Sequence, residues 1–215
     1  MKNLIYIFIL LISISCGENK SHKASSQQVI DTTATSKGKE DIRNITGAIT
    51  SIEDIRKEHS YIQSRAASKI LDSTTFNYNC NGEKEGKVTY FYEQEQLRLI
   101  RHVYNEYSHF SATDEYFIKD DELFFVFYNQ MAWNFAGQNQ TQDNITERRF
   151  YIVNNQPVHC LEKKFSINSN DNNPTESNEV PNKEIECALF EDALKDYKKL
   201  FKLREQNGEI ECLEE

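Results

Sequence analysis

The sequence predicts an α+β fold: an N-terminal helix, an antiparallel meander sheet of six or seven strands, and a C-terminal helix packed on the sheet. Three observations carry this reading. Apolar residues recur at steps of three and four near residues 52–66 and again near 185–201, which marks two amphipathic helices. Between them, residues 74–167 alternate short aromatic and β-branched runs with polar turns, as strands require. Three units in that region share a spacing in which a Tyr precedes an aliphatic residue by seven positions: Tyr90-Phe91-Tyr92 with Leu97, Tyr116-Phe117-Ile118 with Leu123, and Tyr151-Ile152-Val153 with Val158.

A leader precedes the folded part. Met1-Lys2-Asn3 supplies one positive charge, Leu4 to Ile12 is a nine-residue apolar run, and Ser13-Ile14-Ser15 leads to Cys16-Gly17. This is the three-part plan of a secretory signal. Nine residues rise about 14 Å as a helix, half of what a membrane span needs, so residues 1–15 read as a cleaved signal peptide. A cysteine at the cleavage point can take a diacylglycerol on its thiol. Ser13 to Cys16 resembles the bacterial lipobox, departing from it at Ser13, where that pattern has Leu, Val or Ile. Lipoproteins of Bacteroidetes-like bacteria tolerate the departure, and the Asn, Lys and Ile richness of the chain is similar to theirs. The mature chain is also similar in style to the small lipoproteins of Flavobacteria-like bacteria, a resemblance that implies no particular activity. It does imply acyl chains on Cys16 and attachment to the cell envelope. Gly17-Glu18-Asn19-Lys20 holds a single acid. Surface-exported lipoproteins of those bacteria often carry an acidic cluster there, so the implied place is the outer membrane facing the periplasm.

Residues 16–48 are Ser, Thr, Lys and Gln rich, with scattered aliphatics and no period. Such a composition buries too little apolar surface to offset chain entropy, so it predicts a lipidated, disordered tether with a reach of roughly 30 Å. Losing the leader, which carries only Lys2, takes the net charge from −9 to −10. What remains suits one domain, at residues 49–215. Its acidity disfavours nucleic acid. Besides Cys16 there are four cysteines, Cys80, Cys160, Cys187 and Cys212, which an exported compartment can oxidise into disulfides. Four thiols allow three pairings. Cys160 and Cys187 flank a long polar loop that a crosslink would pin, which favours a bond involving Cys187. No C-x-x-C spacing occurs, and zinc or thioredoxin-like redox chemistry is poorly supported.

The first helix is expected to begin at Thr50 or Ser51, where Thr50-x-x-Glu53 offers a capping box, and to run to about Leu71. Its apolar stripe is Ile52, Ile55, His59, Ile62 and Ala66, with His59 packed or half-exposed. The strands are expected at Thr75–Cys80, Lys87–Tyr92, Leu97–Asn105, Thr113–Ile118, Leu123–Phe127 with a continuation near Trp133, Arg148–Val153 and Pro157–Ile167. Turns fall at Gln94-Glu95, Asp120-Asp121 and Asn154-Asn155, Asn and Asp being residues that tolerate left-handed backbone. The first unit, Gly86 through Leu97, resembles one repeat of the glycine- and tyrosine-rich hairpin arrays of bacterial surface and antitoxin-like proteins. It covers about twelve residues without the usual Asn-Gly turn, and reads as shared hairpin physics. Loops rich in Gln and Asn at Ala136–Thr146 and Asn168–Asn182 are expected to be mobile. After Pro181 comes the second helix, with Ile185, Leu189, Ala193, Tyr197, Leu200 and Phe201 on one face, lysines mostly on the other, and Asn207-Gly208 as its stop.

Little in this chain points to chemistry. His159 and Cys160 are adjacent, but neighbours on a strand face opposite ways and make no dyad. Asp114, Glu115, Asp120, Asp121 and Glu122 form an acidic cluster of the kind glycosidases draw on, and at a strand start and a turn they are expected to be solvated. Asn168 to Glu179 has a superficial EF-hand spacing, but Asn168 and Asn173 stand where Asp and Gly are needed. Neither a phosphate-binding glycine loop nor a hydrolase motif is present. Aromatic residues crowd the strands. These rings are expected to fill the core of a curved sheet and its cross-strand pairs; the alternative, if both helices cover one face, is that positions such as Phe91 and Phe125 belong to another face open to a protein, glycan or lipid partner. The expectation is a non-enzymatic, membrane-anchored envelope lipoprotein that binds another molecule, with no cofactor and no metal. The rivals are a carrier of an apolar ligand in a half-barrel cavity and a periplasmic hydrolase.

Overall fold

The computed structural model describes residues 47–137, 140–171 and 174–213. The leader, Cys16 and almost all of the tether lie outside these residues. Helix α1 (Ile52–Ala67) comes first, followed by strands β1 (Asp72–Cys80), β2 (Lys84–Glu93), β3 (Gln96–Glu106), β4 (Phe110–Lys119), β5 (Glu122–Gly137), β6 (Gln140–Val153) and β7 (Gln156–Asn168). A two-residue strand β8 (Lys183–Glu184), helix α2 (Phe190–Lys202) and a short strand β9 (Gly208–Ile210) complete the fold. The class is α+β, with one sheet of nine strands in the order β8-β7-β6-β5-β4-β3-β2-β1-β9. All neighbours are antiparallel except β1 and β9, which run parallel. Seven strands form the meander; β8 and β9 were hidden in sequence because two and three residues carry no period.

The turns explain the register. Gln94-Glu95, Asp120-Asp121 and Asn154-Asn155 each have positive φ at both residues, the mirror-image turn whose twist matches the strands it joins. Each hairpin carries a bulge three residues beyond: Phe91 pairs with Leu99 and Tyr92 with Leu97, leaving Arg98 extra, and the same shift leaves Phe124 and Val158 extra. The structural equivalents are therefore Tyr90, Tyr116 and Phe150, not Tyr151, and Leu97, Leu123 and Pro157, not Val158. The third unit is one residue out of the spacing read from sequence, because Phe150 takes the place of the tyrosine. A bulge also sets two successive residues on one face. Phe124 and Phe125 accordingly share a core.

The two helices lie on opposite faces of the sheet. Phe190, Ala193, Tyr197 and Leu200 of α2 pack with Phe76, Val88, Tyr90, Ile100, Tyr116 and Phe150 on one face. Ile55 and Ile62 of α1 pack with Leu99, Phe117, Phe124, Phe125 and Tyr151 on the other. The aromatic face holding Phe91 and Phe125 is thus covered, as expected of rings that fill the core, and the alternative of an open sheet surface there is excluded. Each fully buried side chain of this size stabilises the fold by about 1.5–3 kcal/mol. The Tyr90 hydroxyl also donates to the Leu200 carbonyl at 2.8 Å, seating the end of α2. On the other face Arg98, turned inward by its bulge, donates to buried Glu58 of α1 and to Glu93 at 3.2 Å. Glu93 also accepts from Tyr61 of α1 at 2.7 Å.

Local chemistry moves several expected boundaries. Ser51 caps α1, its Oγ accepting from the Asp54 N–H, while Asp54 accepts in turn from the Thr50 N–H, one position on from the box expected at Thr50 and Glu53. Helix α2 starts at Phe190, so Ile185 and Leu189 precede it, and Leu189 is 42% exposed. It ends at Lys202, and Gly208, at φ +79°, opens β9 instead of closing the helix. The stretch expected to be a loop at 136–146 is largely the tip of the β5–β6 hairpin. There cross-strand amides substitute for apolar pairs, as where Asn144 Nδ2 donates to Asn134 Oδ1 at 2.5 Å. Of the loop at 168–182, Ser177 is tied to Lys163, whose Nζ donates to its carbonyl at 2.7 Å.

Candidate functional site

Successive rungs of the α2 face run across the sheet in register. Tyr90, Ile100, Tyr116, Val126, Phe150 and Cys160 lie on one rung, all apolar or aromatic and covered by α2. The next holds Phe76, Val88, His102, Asp114 and Tyr128. On the third lie Tyr78, Gly86, Tyr104 and Ala112. His102 and Asp114 are thus direct cross-strand neighbours, at a separation where side chains interact. The apolar floor gives way to a polar one beside α2, next to Asp196 and Lys199.

There a cavity of about 410 Å³ opens between the sheet and α2. His102, Tyr104, Asp114 and Tyr116 face it from β3 and β4, and Asp196 and Lys199 from α2. The disulfide between Cys80 and Cys212 forms part of its wall. Gly86 makes room for the arrangement: a Cβ there would lie 2.7 Å from the Tyr78 ring, which instead crosses β2 and sets its hydroxyl 2.8 Å from His102 Nε2. The His102 ring stacks on Tyr104 with centroids 4.4 Å apart. Lys84 also lines the cavity, 4.5 Å from the Tyr104 ring centre, and is held by Glu106 at 2.7 Å.

Burial governs the electrostatics. Asp114 is 4% exposed. Loss of water raises its carboxyl to about pKa 7, against the opposing effect of the Tyr104 hydroxyl, which donates to it. The second carboxyl oxygen, Oδ1, is buried without a hydrogen-bond partner. Burial, aided by the charges of Lys84 and Lys199, lowers His102 to about 3 and keeps it neutral. Asp196 is raised, again chiefly by burial. Tyr104 and Tyr116 are both pushed upward by burial and stay protonated, Tyr116 sharing a hydrogen bond of 3.2 Å with Tyr128. A buried carboxyl oxygen without a donor costs on the order of 1–3 kcal/mol, which a ligand donating to it would relieve.

The residues singled out from sequence are distributed elsewhere. The acidic cluster is divided: Asp120, Asp121 and Glu122 are exposed at their turn, whereas Asp114 and Glu115 are 4% and 5% exposed, which corrects the expectation that all five are solvated. Glu115 faces the opposite side and accepts from Arg101 at 2.7 Å. His59 sits between the rings of Phe117 and Phe125, where burial lowers it to about 4. His159 packs on Tyr151 and approaches Glu184 at 3.3 Å, while Cys160 faces away and is bonded to Cys187. The second disulfide joins Cys80 to Cys212. Asn173 of the EF-hand-like stretch lies outside the described residues. Among the described residues, no group of three or more His, Cys, Asp or Glu is placed to hold a metal ion, and no helix is long and apolar enough to cross a membrane.

Protein-family models, curated proteins and solved structures provide no match to this chain. Its function is read from the site alone. His102, Tyr104 and Asp196 were missed in sequence because isolated polar residues in strands and helices are commonplace. The available signal was the three-residue gap Tyr107-Ser108-His109, which sets His102 opposite Asp114 once Glu106 pairs with Phe110.

Proposed function

We propose that this protein is an envelope lipoprotein, held to a membrane through Cys16, that binds a small polar molecule in the cavity between the sheet and α2 without acting on it chemically. The observation that carries the reading is the Asp114 Oδ1, buried at the cavity and without a donor. Its lining of acids, tyrosines and two lysines suits a polar guest better than the apolar cargo of a half-barrel carrier. The two disulfides suit an oxidising exported compartment, in keeping with the leader read from Met1 to Ser15. A carboxyl raised to about 7 is also what a general acid would need, which favours a hydrolase as the second reading. Against it, His102 is neutral and its Nε2 is engaged by Tyr78, so the carboxyl has no basic histidine to work with.

Two measurements test the proposal. Cys16→Ala is expected to shift the protein from the membrane to the soluble fraction of the envelope; persistent acylation would overturn the anchor. The wild type and Asp114→Leu are each equilibrated with the small-molecule fraction of an envelope extract, and what each retains is identified by mass spectrometry. The wild type is expected to retain a polar compound that the variant does not. Equal retention would remove the cavity from the function.

A further inference from the structure

We infer that the guest of this cavity is a primary ammonium compound, bound with its N–H groups on Asp114 Oδ1 and its charge beside the Tyr104 and Tyr116 rings. The inference rests on the reading of the cavity as a ligand site and names the chemistry of what enters. When Asp114 is ionised its Oδ1 is an acceptor whose complement is a donor, and a carboxylate or phosphate guest would set like charges against each other. The surrounding charges favour a cation. Asp114, Asp196, Glu83 and Glu106 line the cavity against Lys84 and Lys199, and Lys84 is already held by Glu106. The adjacent rings suit a cation as well, since Lys84 Nζ already lies 4.5 Å from the Tyr104 ring centre. The guest needs N–H groups, which separates a primary ammonium from a quaternary one. A volume of about 410 Å³ accommodates a compound of amino-alcohol, diamine or amino-sugar size.

A cation on Asp114 stabilises its ionised form, so binding near neutral pH expels the proton that burial retains there. The groups able to modulate this are Tyr78 from β1, Glu83 from the turn after it, Lys84 from β2, His102, Tyr104 and Glu106 from β3, Tyr116 from β4, Tyr128 from β5, and Asp196 and Lys199 from α2. His102 and the tyrosines stay neutral through this range, leaving Asp114 as the main proton source, with Asp196, raised by burial as well, as a second one.

Isothermal titration of the full chain in detergent at pH 7 provides the test. The probes are ethanolamine, putrescine and glucosamine; choline as the quaternary control; glucose and glycerol as neutral compounds; and succinate as an anion. At least one primary ammonium probe is expected to bind, at least tenfold more tightly than choline, with a proton released to the buffer as judged in phosphate and in HEPES. Asp114→Asn is expected to weaken it at least tenfold and remove most of the proton release. Asp196→Asn, at the rim, is expected to weaken it a few-fold. Binding of glucose or succinate in place of the amines would overturn the ammonium assignment while leaving the cavity a binding site. Amine binding unchanged in both variants would overturn the placement at Asp114. No binding by any probe, together with equal retention of extract compounds by the wild type and Asp114→Leu, would overturn both readings.

Discussion

Replacing Asp114 by Asn should make the protein more resistant to alkaline destabilisation, and the size of the effect follows from burial. The folded-state value is about 7, against an ordinary carboxylate value of 3.8. Because the folded value is raised, the folded chain keeps a proton that the unfolded chain gives up. Stability is therefore full below about pH 4 and is lost as pH rises through about 7. At about 1.4 kcal/mol per pH unit, the wild type has lost roughly 1.5 kcal/mol by pH 5 and roughly 4 kcal/mol by pH 8. Asn carries no titrating proton, and its amide oxygen can still accept from Tyr104. The stability of Asp114→Asn relative to wild type should then be about 2–3 kcal/mol greater at pH 8 than at pH 5, measured by urea unfolding at both pH values. His59 and His102, neutral in the fold with values lowered to about 4 and about 3, cost stability on acidification in the opposite sense. They are present in both proteins and cancel in the comparison. A wild type to variant difference that is the same at both pH values would refute the reasoning, since it would mean that Asp114 titrates alike in the folded and unfolded chains.

Three further outcomes are expected. Gly86→Ala drives a methyl group into the Tyr78 ring, 2.7 Å away, and should destabilise by about 1–3 kcal/mol and remove the near-ultraviolet circular dichroism of the displaced ring. Replacing Gln94-Glu95 by Asn-Gly relieves two left-handed residues, at φ 50° and 67°, and should raise the urea midpoint by an amount worth about 1–2 kcal/mol. Removing the Cys80–Cys212 bond, which spans 132 residues, should destabilise by up to about 5 kcal/mol in the chain-entropy account, against about 3–4 kcal/mol for Cys160–Cys187, which spans 27. Unfolding of the paired Cys→Ser variants measures both, and the reverse order would show that loop length does not govern them.

Much of the architecture was readable because it repeats. Polar pairs with left-handed tolerance alternate with aromatic runs, and this alone fixes seven strands and three of their turns. What escaped did so for physical reasons. Arg98, Phe124 and Val158 are bulge residues, and a bulge reverses the alternation from which a facing side is inferred. Phe124 and Phe125 therefore look like residues of opposite faces and are not. The two helices read as equally amphipathic, and nothing in a periodic stripe says which side of a sheet it meets. The cavity was less legible still, since its central contact joins His102 and Asp114 through strand register. Asp114, next to Glu115 and near an acidic turn, looks like surface. Only the pairing across β3 and β4 shows that it faces α2.

The return of β9 to the outer edge of β1 bears on how the chain reaches its folded state. Seven strands close hairpin by hairpin, each on its sequence neighbour, so the meander can zip from local contacts. The last pairing joins Phe76–Tyr78 to Gly208–Ile210 and waits for almost the whole chain. A polypeptide delivered N-terminus first therefore exposes β1 as an open edge until its end arrives. Oxidation of Cys80 with Cys212 then works as a completion mark. It fixes β9 against Phe76–Tyr78, and a chain cut before Gly208 would leave that stretch of β1 unpaired.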